Sequence, residues 1–192
     1  MLPFLRLLYS EGFQDAYLAV NSAVIQWLEK SVTGRSCVRI AGHSLGGALA
    51  TLFAVDIKRR GWQIDGVVTF GSPRVGQQAF KSLYQEMNLY HLTVRFTNQT
   101  DPVPCFPPSS SGFEHVVEEY ALGSTGLPAG SSHSMAGSSK SYCLTLQDAV
   151  EGYERGLQYG IASRVVTYLT ASKRRIFRTS IGKDSAACTV CV

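Results

Sequence analysis

Apolar side chains along the first hundred residues follow two alternating periods. Residues 12–30 place them three and four positions apart, which predicts an amphipathic helix. Residues 46–60 and 77–87 repeat that helical spacing, and Gly61 is a suitable stop for the first of these segments. Three short apolar runs, partly β-branched, predict buried strands: 37–41, 67–70 and 92–97. Strands that alternate with helices indicate an α/β fold with a mostly parallel sheet flanked by helices.

The pattern becomes less regular after residue 97. Residues 98–112 contain four prolines and predict a loop. An edge strand is predicted over 114–122, and the Gly- and Ser-rich stretch 123–141 is predicted to be irregular. Residues 143–171 predict a helix that is interrupted by three glycines.

Composition bounds the class of protein. The chain has 192 residues, of which 45% are hydrophobic and 17% charged, as in a soluble globular domain. Its apolar runs fall short of the about 18 residues of a membrane span, and the opening residues are too few for a signal peptide. We therefore expect a single domain over 1–172. A cytoplasmic, a membrane-peripheral and a secreted location all stay open.

The positive charge of the chain is concentrated in a tail over 173–192. The tail holds five Lys or Arg residues and one Asp, whereas the remaining residues carry 13 basic and 13 acidic side chains. A neutral body is not typical of a nucleic-acid-binding domain, so we expect no nucleic-acid partner. A polybasic segment followed by Cys188 and Cys191 is typical of a membrane-surface anchor, which makes peripheral membrane contact a hypothesis for this tail.

A serine lies between glycines at the junction of a predicted strand and a predicted helix. The motif is Gly-His-Ser-Leu-Gly at 42–46. Such a turn holds Ser44 in a strained backbone, projects its hydroxyl from the end of the sheet, and places the next N–H groups at the start of a helix. His43 adjoins Ser44, and neighbouring side chains on a sharp turn point apart. The strand before and the helix after favour a nucleophile more strongly than the motif alone does.

A serine nucleophile needs a base, and the base needs a carboxylate to orient it. Asp101 follows the strand predicted over 92–97, at the carboxyl end of the sheet where functional groups collect. His91 precedes that strand and belongs to the opposite end. His133 follows the acid in a Gly- and Ser-rich loop, as the order Ser…Asp…His requires, and His115 is the alternative base.

At this point the sequence resembles the class 3 lipases, which are serine esterases of the α/β-hydrolase fold. Six ordered segments between residues 10 and 145 carry the resemblance: GFQDAY (12–17), GHSLGGALATL (42–52), VVTFGSPRVGQQAF (67–80), VRFTNQTDPVPCFPP (94–108), FEHVVEEY (113–120) and HSM (133–135). The resemblance implies Ser44 as nucleophile, Asp101 as acid and His133 as base.

The resemblance also implies a mechanism. Ser44 attacks the ester carbonyl of a lipid such as an acylglycerol while His133, oriented by Asp101, takes its proton. Backbone N–H groups hold the oxyanion, one of them on Leu45, and water then cleaves the acyl-enzyme. No metal or organic cofactor takes part in this chemistry.

The sequence departs from the family pattern before residue 12. Family members have several strands there, and one ends in an F-R-G-T-like turn that supplies a second oxyanion donor. Only about twelve residues precede the first helix here, and none reads F-R-G-T. The resemblance therefore implies a fold that lacks the N-terminal strands, with a bare sheet edge for which residues 2–8 are a poor substitute. It also gives an alternative function, a catalytically impaired or truncated lipase-like protein that binds lipid or a partner.

Overall fold

The computed structural model of the chain describes residues 10–32, 37–98, 100–122, 132–137, 141–154 and 187–191. Helices and strands alternate along most of this length. In chain order they are α1 (Glu11–Ser31), β1 (Cys37–His43), α2 (Leu45–Arg59), β2 (Ile64–Phe70), β3 (Gly76–Gln77), α3 (Gln78–Glu86), β4 (Thr93–Asn98), β5 (Phe113–Glu114), β6 (Glu119–Leu122), α4 (Tyr142–Glu154) and β7 (Ala187–Cys191).

The central sheet has five strands in the order β6-β4-β2-β1-β7, and every neighbouring pair is parallel. The register places His43 of β1 beside Phe70 of β2, and Phe70 beside Phe96 of β4. The carboxyl ends of these three strands therefore meet at one edge of the sheet. The segments that follow them, which carry Ser44 and Asp101, lie at that edge.

Helices pack on both faces of the sheet. Successive strand residues point to opposite faces, and Val67 and Val68 of β2 accordingly belong to different apolar clusters. The larger cluster joins α1, α2 and α3 to the sheet, and the smaller one joins Tyr142 of α4 to Phe96 and Leu122. The alternating pattern of strands and helices predicted this layered α/β arrangement, which is of the α/β-hydrolase type that the resemblance implied.

The segment 114–122 differs from its prediction as one edge strand. It divides into β5, which pairs antiparallel with β3, and β6, which pairs parallel with β4 at the edge of the main sheet. Val116 and Val117 lie between the two strands and are 6% exposed, so the chain turns there to bury them in the larger cluster. Only the last four residues of the predicted strand therefore join the main sheet.

The other sheet edge also differs from expectation. Residues 187–191, which the sequence assigned to the tail, form β7 and pair in parallel with β1 from Cys37 to Ala41. The edge of β1 that was expected to be bare is thus covered. Thr and Val in this segment suit a strand, but no local pattern specifies the pairing partner. The substitute strand predicted over 2–8 lies outside the described residues, and the domain boundary at residue 172 stays a prediction.

Within the described ranges, none of the helices has the length and the apolar character that crossing a bilayer requires.

Candidate active site

Ser44 occupies a strained turn between β1 and α2. Its φ of 57° and ψ of −125° fall in a region that residues with a side chain rarely adopt. The turn is tight enough that a methyl group at Gly42 would lie 2.1 Å from the carbonyl oxygen of Gly46. The Ser44 N–H donates to the carbonyl of Phe70 over 2.9 Å, which ties the turn to the end of β2. This local geometry is the one that the glycine-flanked motif predicted.

His133 joins the serine to the carboxylate. Its Nε2 lies 2.8 Å from the Oγ of Ser44, and its Nδ1 lies 2.9 Å from Oδ2 and 3.0 Å from Oδ1 of Asp101. A carboxylate only accepts hydrogen bonds, so Nδ1 carries the proton and Nε2 is left to accept the Ser44 hydroxyl proton. The structure therefore brings the three predicted side chains into one hydrogen-bonded chain.

Asp101 follows β4 after a short turn and is held from several directions. Its side chain is fully buried. Oδ1 accepts the backbone N–H of Val103 over 2.9 Å, and Oδ2 accepts the hydroxyl of Tyr142 over 2.7 Å. The Asp101 N–H in turn donates to the carbonyl of Asn98 over 2.9 Å. The carboxylate thus faces His133 in a fixed orientation.

Tyr142 is a site residue that the sequence did not identify. It is fully buried at the start of α4, and its hydroxyl accepts the N–H of Asn98 over 2.9 Å while donating to Asp101. Burial, reinforced by the hydrogen bond to Asp101, raises the pKa of Tyr142 far above its usual value, so the phenol stays protonated and donates. The available signal was a tyrosine nine residues after His133, at the start of a predicted helix.

Gly71 leaves the room that the carboxylate and the imidazole occupy. It follows β2 with a φ of 57°, and a methyl group at this position would lie 2.7 Å from Oδ2 of Asp101 and 3.2 Å from Nδ1 of His133. Both the backbone angle and the lack of space require glycine here. The sequence indicated only that a strand stops at this residue.

His115, the alternative base, lies elsewhere. Its Nε2 donates to the carbonyl of Pro104 over 2.8 Å, between β5 and β6. Burial, assisted by the positive charge of Arg95, lowers the pKa of His115 to about 3, so the imidazole is neutral at physiological pH. The hydrogen bond to Pro104 joins the segment between β5 and β6 to the loop that follows Asp101. His91 lies in the turn Tyr90–Leu92 before β4, as expected from its place in the sequence.

Leu45 is the first residue of α2 and directly follows the serine. The first N–H groups of a helix have no acceptor within the helix and form its partially positive end. This is the environment that a developing oxyanion requires. Among the described residues, no group of three His, Cys, Asp or Glu side chains is spaced to hold a metal ion.

A comparison with known families matches residues 6–111, more than half of the chain, to the model described as lipase (class 3). The chain belongs to the class 3 lipase family. Among its relatives in this family, the secreted mono- and diacylglycerol lipase A of Penicillium cyclopium is 36% identical over 112 residues, which are 57% of this chain and 35% of that protein. The lipase of Rhizomucor miehei is 35% identical over 117 residues, 57% of this chain and 31% of that protein.

Solved structures of fungal lipases share the fold. A mutant form of MDLA from Penicillium cyclopium superposes with a TM-score of 0.56 at 31% identity, covering 65% of this chain and 46% of that one. A triacylglycerol lipase described as having a serine-protease triad at its catalytic centre gives a TM-score of 0.50 at 32% identity, covering 59% and 44%. This class 3 lipase chain spans about a third of the length of the two curated relatives named above.

Proposed function

We propose that this chain hydrolyses carboxylic esters of lipids, with Ser44 as nucleophile, His133 as general base and Asp101 as the orienting acid. The observation that carries the proposal is the unbroken chain of hydrogen bonds from the Ser44 hydroxyl through both imidazole nitrogens to the Asp101 carboxylate. Membership of the class 3 lipases supports the same reaction. The complete chain of contacts favours a hydrolase over a lipase-like binding module without activity.

The first half of the reaction acylates the serine. Ser44 Oγ attacks the ester carbonyl carbon while Nε2 of His133 takes its proton. The imidazolium that forms is stabilised by Asp101, which stays ionised and keeps its hydrogen bonds from Val103 and Tyr142. Collapse of the tetrahedral intermediate expels the alcohol, which leaves with the proton from His133, and the acyl group remains on Ser44.

The negative charge on the carbonyl oxygen needs donors that are already in place. The N–H of Leu45 lies at the start of α2, beside the nucleophile, and we assign it as one oxyanion donor. A preorganised donor of this kind contributes on the order of 10²–10³ in turnover when single-donor removals are measured. The helix dipole of α2 acts in the same direction.

The second half of the reaction releases the acid. Water attacks the acyl carbonyl while His133 takes one of its protons, and the second tetrahedral intermediate collapses with return of that proton to Ser44. The products are a carboxylic acid and the alcohol, and the enzyme is restored. Each step uses only the residues of the hydrogen-bonded chain, water and backbone donors.

Acylglycerols are the substrate class that we propose. Relatives of this chain are named mono- and diacylglycerol lipases, and one in Oryza sativa subsp. japonica, 34% identical over 94 residues, is named phospholipase A1-II 4. Peripheral membrane contact through the basic tail stays a separate proposal. Cys188 and Cys191 lie in β7, so this contact rests on residues 173–186, which are outside the described residues.

Turnover of p-nitrophenyl butyrate and of an emulsified monoacylglycerol tests the proposed function. The wild-type chain is expected to hydrolyse both, and Ser44→Ala should lose at least about 1,000-fold in kcat/KM because no other group replaces the nucleophile. Ser109→Ala, at an exposed serine in the turn Ser109–Ser111, is the matched control and should keep wild-type activity. A folded wild-type chain without turnover would instead support the lipase-like binding module.

A further inference from the structure

The loop that carries His133 is held by its backbone carbonyls. Four successive carbonyls, those of residues 132 to 135, each accept a hydrogen bond of 2.7–3.1 Å. In order, the donors are Asn98 Nδ2, His43 Nε2, Tyr142 N and Cys143 N. Two donors thus come from side chains at the carboxyl ends of β4 and β1, and two come from the start of α4. The loop is clamped between the sheet and a helix.

Of these four contacts, the one from His43 is made to the backbone of His133, the proposed base. It is the last residue of β1, and its Nε2 lies 2.7 Å from the carbonyl oxygen of His133. A carbonyl only accepts, so Nε2 of His43 carries the proton. The His43 ring also lies 4.8 Å from the His133 ring, centroid to centroid, and meets Tyr142 edge-on at 5.8 Å.

We propose that His43 is a positioning residue that fixes the distance between the nucleophile and the base, a role that rests on the function proposed above. His43 and Ser44 are adjacent in the chain, and both bond to His133, one at its backbone and one at its side chain. Together with the peptide bond between His43 and Ser44, the two contacts close a ring. A shift of the loop that carries His133 therefore requires a shift of the serine turn. Misplacement of a reacting group by about 1 Å costs up to about 100-fold in rate, so such a constraint has kinetic value.

The two features of His43, its donor and its ring, are separated by substitution. His43→Gln keeps an N–H donor at similar reach and removes the ring, whereas His43→Phe keeps a ring and removes the donor. His91→Phe is the matched control, because His91 is exposed and lies before β4 rather than at its carboxyl end.

Steady-state kinetics on p-nitrophenyl butyrate provide the first readout. We expect His43→Phe to lower kcat by on the order of 10- to 100-fold with KM within about twofold, because the substrate still binds while the base is misplaced. His43→Gln should stay within about threefold of wild type, and His91→Phe should match it. Wild-type kcat in His43→Phe, or equal losses in the Phe and Gln variants, would overturn the proposal.

The low-field proton NMR signal of the His133 Nδ1–H, assigned by its loss in Asp101→Asn, provides a readout that needs no activity. It should be sharp in wild type and in His43→Gln, and it should broaden through solvent exchange in His43→Phe. If the variants show this NMR pattern but the wild-type chain has no turnover, the positioning role of His43 holds and the proposed function is wrong. If the wild-type chain is active and His43→Phe changes neither the signal nor kcat, the positioning proposal is wrong and the proposed function stands.

Should His43→Phe not fold, as judged by thermal unfolding, the smaller His43→Leu replaces it as the variant without a donor.

Discussion

The carboxylate of Asp101 accepts hydrogen bonds from three groups, and only one of these groups belongs to His133. The others are the N–H of Val103, two residues away in the chain, and the hydroxyl of Tyr142, which comes from α4. Pro102 lies between Asp101 and Val103 and restricts the backbone of this turn, which favours the first contact. Tyr142 donates the second hydrogen bond, to the other carboxylate oxygen. The contribution of this hydrogen bond to activity and stability can be measured separately.

Tyr142→Phe should lower both activity and stability. The change removes the hydrogen bond to Asp101 and the acceptor of the Asn98 N–H, each worth about 0.5–1.5 kcal/mol. We expect kcat to fall on the order of tenfold because the carboxylate holds the imidazole less firmly. Tyr17→Phe is the matched control, since the Tyr17 hydroxyl donates to Asp56 between α1 and α2. It should lower the free energy of unfolding similarly in urea titrations and leave kcat unchanged.

Gly71→Ala should lower turnover, an effect that the strain of its left-handed backbone angle does not explain by itself. The methyl group would lie 2.7 Å from Oδ2 of Asp101, so the carboxylate or β2 has to move. Gly112→Ala is the control, because Gly112 also has a left-handed φ, of 80°, yet its nearest neighbour to a methyl group is 3.9 Å away. Both variants should lose about 1–2 kcal/mol of unfolding free energy to backbone strain. Only Gly71→Ala should also lose turnover; equal turnover in the two would contradict the assignment.

At the scale of elements, the packing of α2 against the segment after β2 brings the serine turn close to Gly71. A methyl group at Gly47 would lie 2.7 Å from Cβ of Ser72 and 3.0 Å from its Oγ, so the helix and the segment touch at their backbones. The same helix joins β1 to β2 and buries most of its length. Because Ser44 directly precedes α2, the position of this helix also affects the position of the serine turn.

Gly47→Ala should destabilise the fold by about 1–3 kcal/mol, because an added methyl group overpacks a contact that has no space for it. Gly12→Ala makes the same change in α1 at an exposed position with no atom within 4 Å of the new methyl group. It should stabilise the protein by about 0.5–1 kcal/mol through the better helix propensity of alanine. Thermal unfolding of the two variants measures whether each change lowers or raises stability. A stabilised Gly47→Ala would show that α2 does not pack against Ser72 as closely as described.

Most elements between residues 11 and 98 were predictable because helices and strands have different apolar periods, but the two-residue strand β3 was not predicted, and β2 begins three residues before the predicted strand. The helix predicted over 12–30 is α1, and the strand predicted over 92–97 corresponds to β4, each within one residue at either end. The pairing of β7 was not predictable, because a short strand far along the chain carries no local sign of its partner. The helix predicted over 143–171 is described only as far as Glu154.

The same distinction applies to the site. Ser44 was predictable because its strain is local and its flanking glycines are visible in the sequence. His133 was selected over His115 because it lies in a Gly- and Ser-rich loop and because the resemblance implies it; chain order does not separate the two, since both follow Asp101. The contacts of Tyr142 with Asp101 and of His43 with the His133 carbonyl join residues 41 and 90 positions apart, so neither leaves a local pattern.

At the scale of the whole molecule, His115 couples folding to pH. Burial lowers its pKa to about 3 in the folded state, whereas an exposed histidine titrates near 6.5. Between these values the unfolded chain binds more protons than the folded one, so stability falls as pH falls through this window and levels off below about pH 3. The contribution is up to about 1.4 kcal/mol for each pH unit.

His115→Gln should remove this dependence while keeping a donor for the carbonyl of Pro104. Urea unfolding of wild type and variant from pH 7 to pH 4 measures the difference, in which the other titrating groups cancel. The wild-type free energy of unfolding should decrease more steeply with acid than that of the variant. Equal slopes would show that His115 is accessible to protons in the folded state.

The central claim is that Ser44 is an activated nucleophile, and covalent labelling tests it most directly. A fluorophosphonate forms a stable adduct only with a serine whose hydroxyl is activated by a base. Peptide mass spectrometry of the treated wild-type chain should locate one adduct, on Ser44, and treated Ser44→Ala should carry none. An unlabelled wild-type chain, or an adduct on a different serine, would contradict the account.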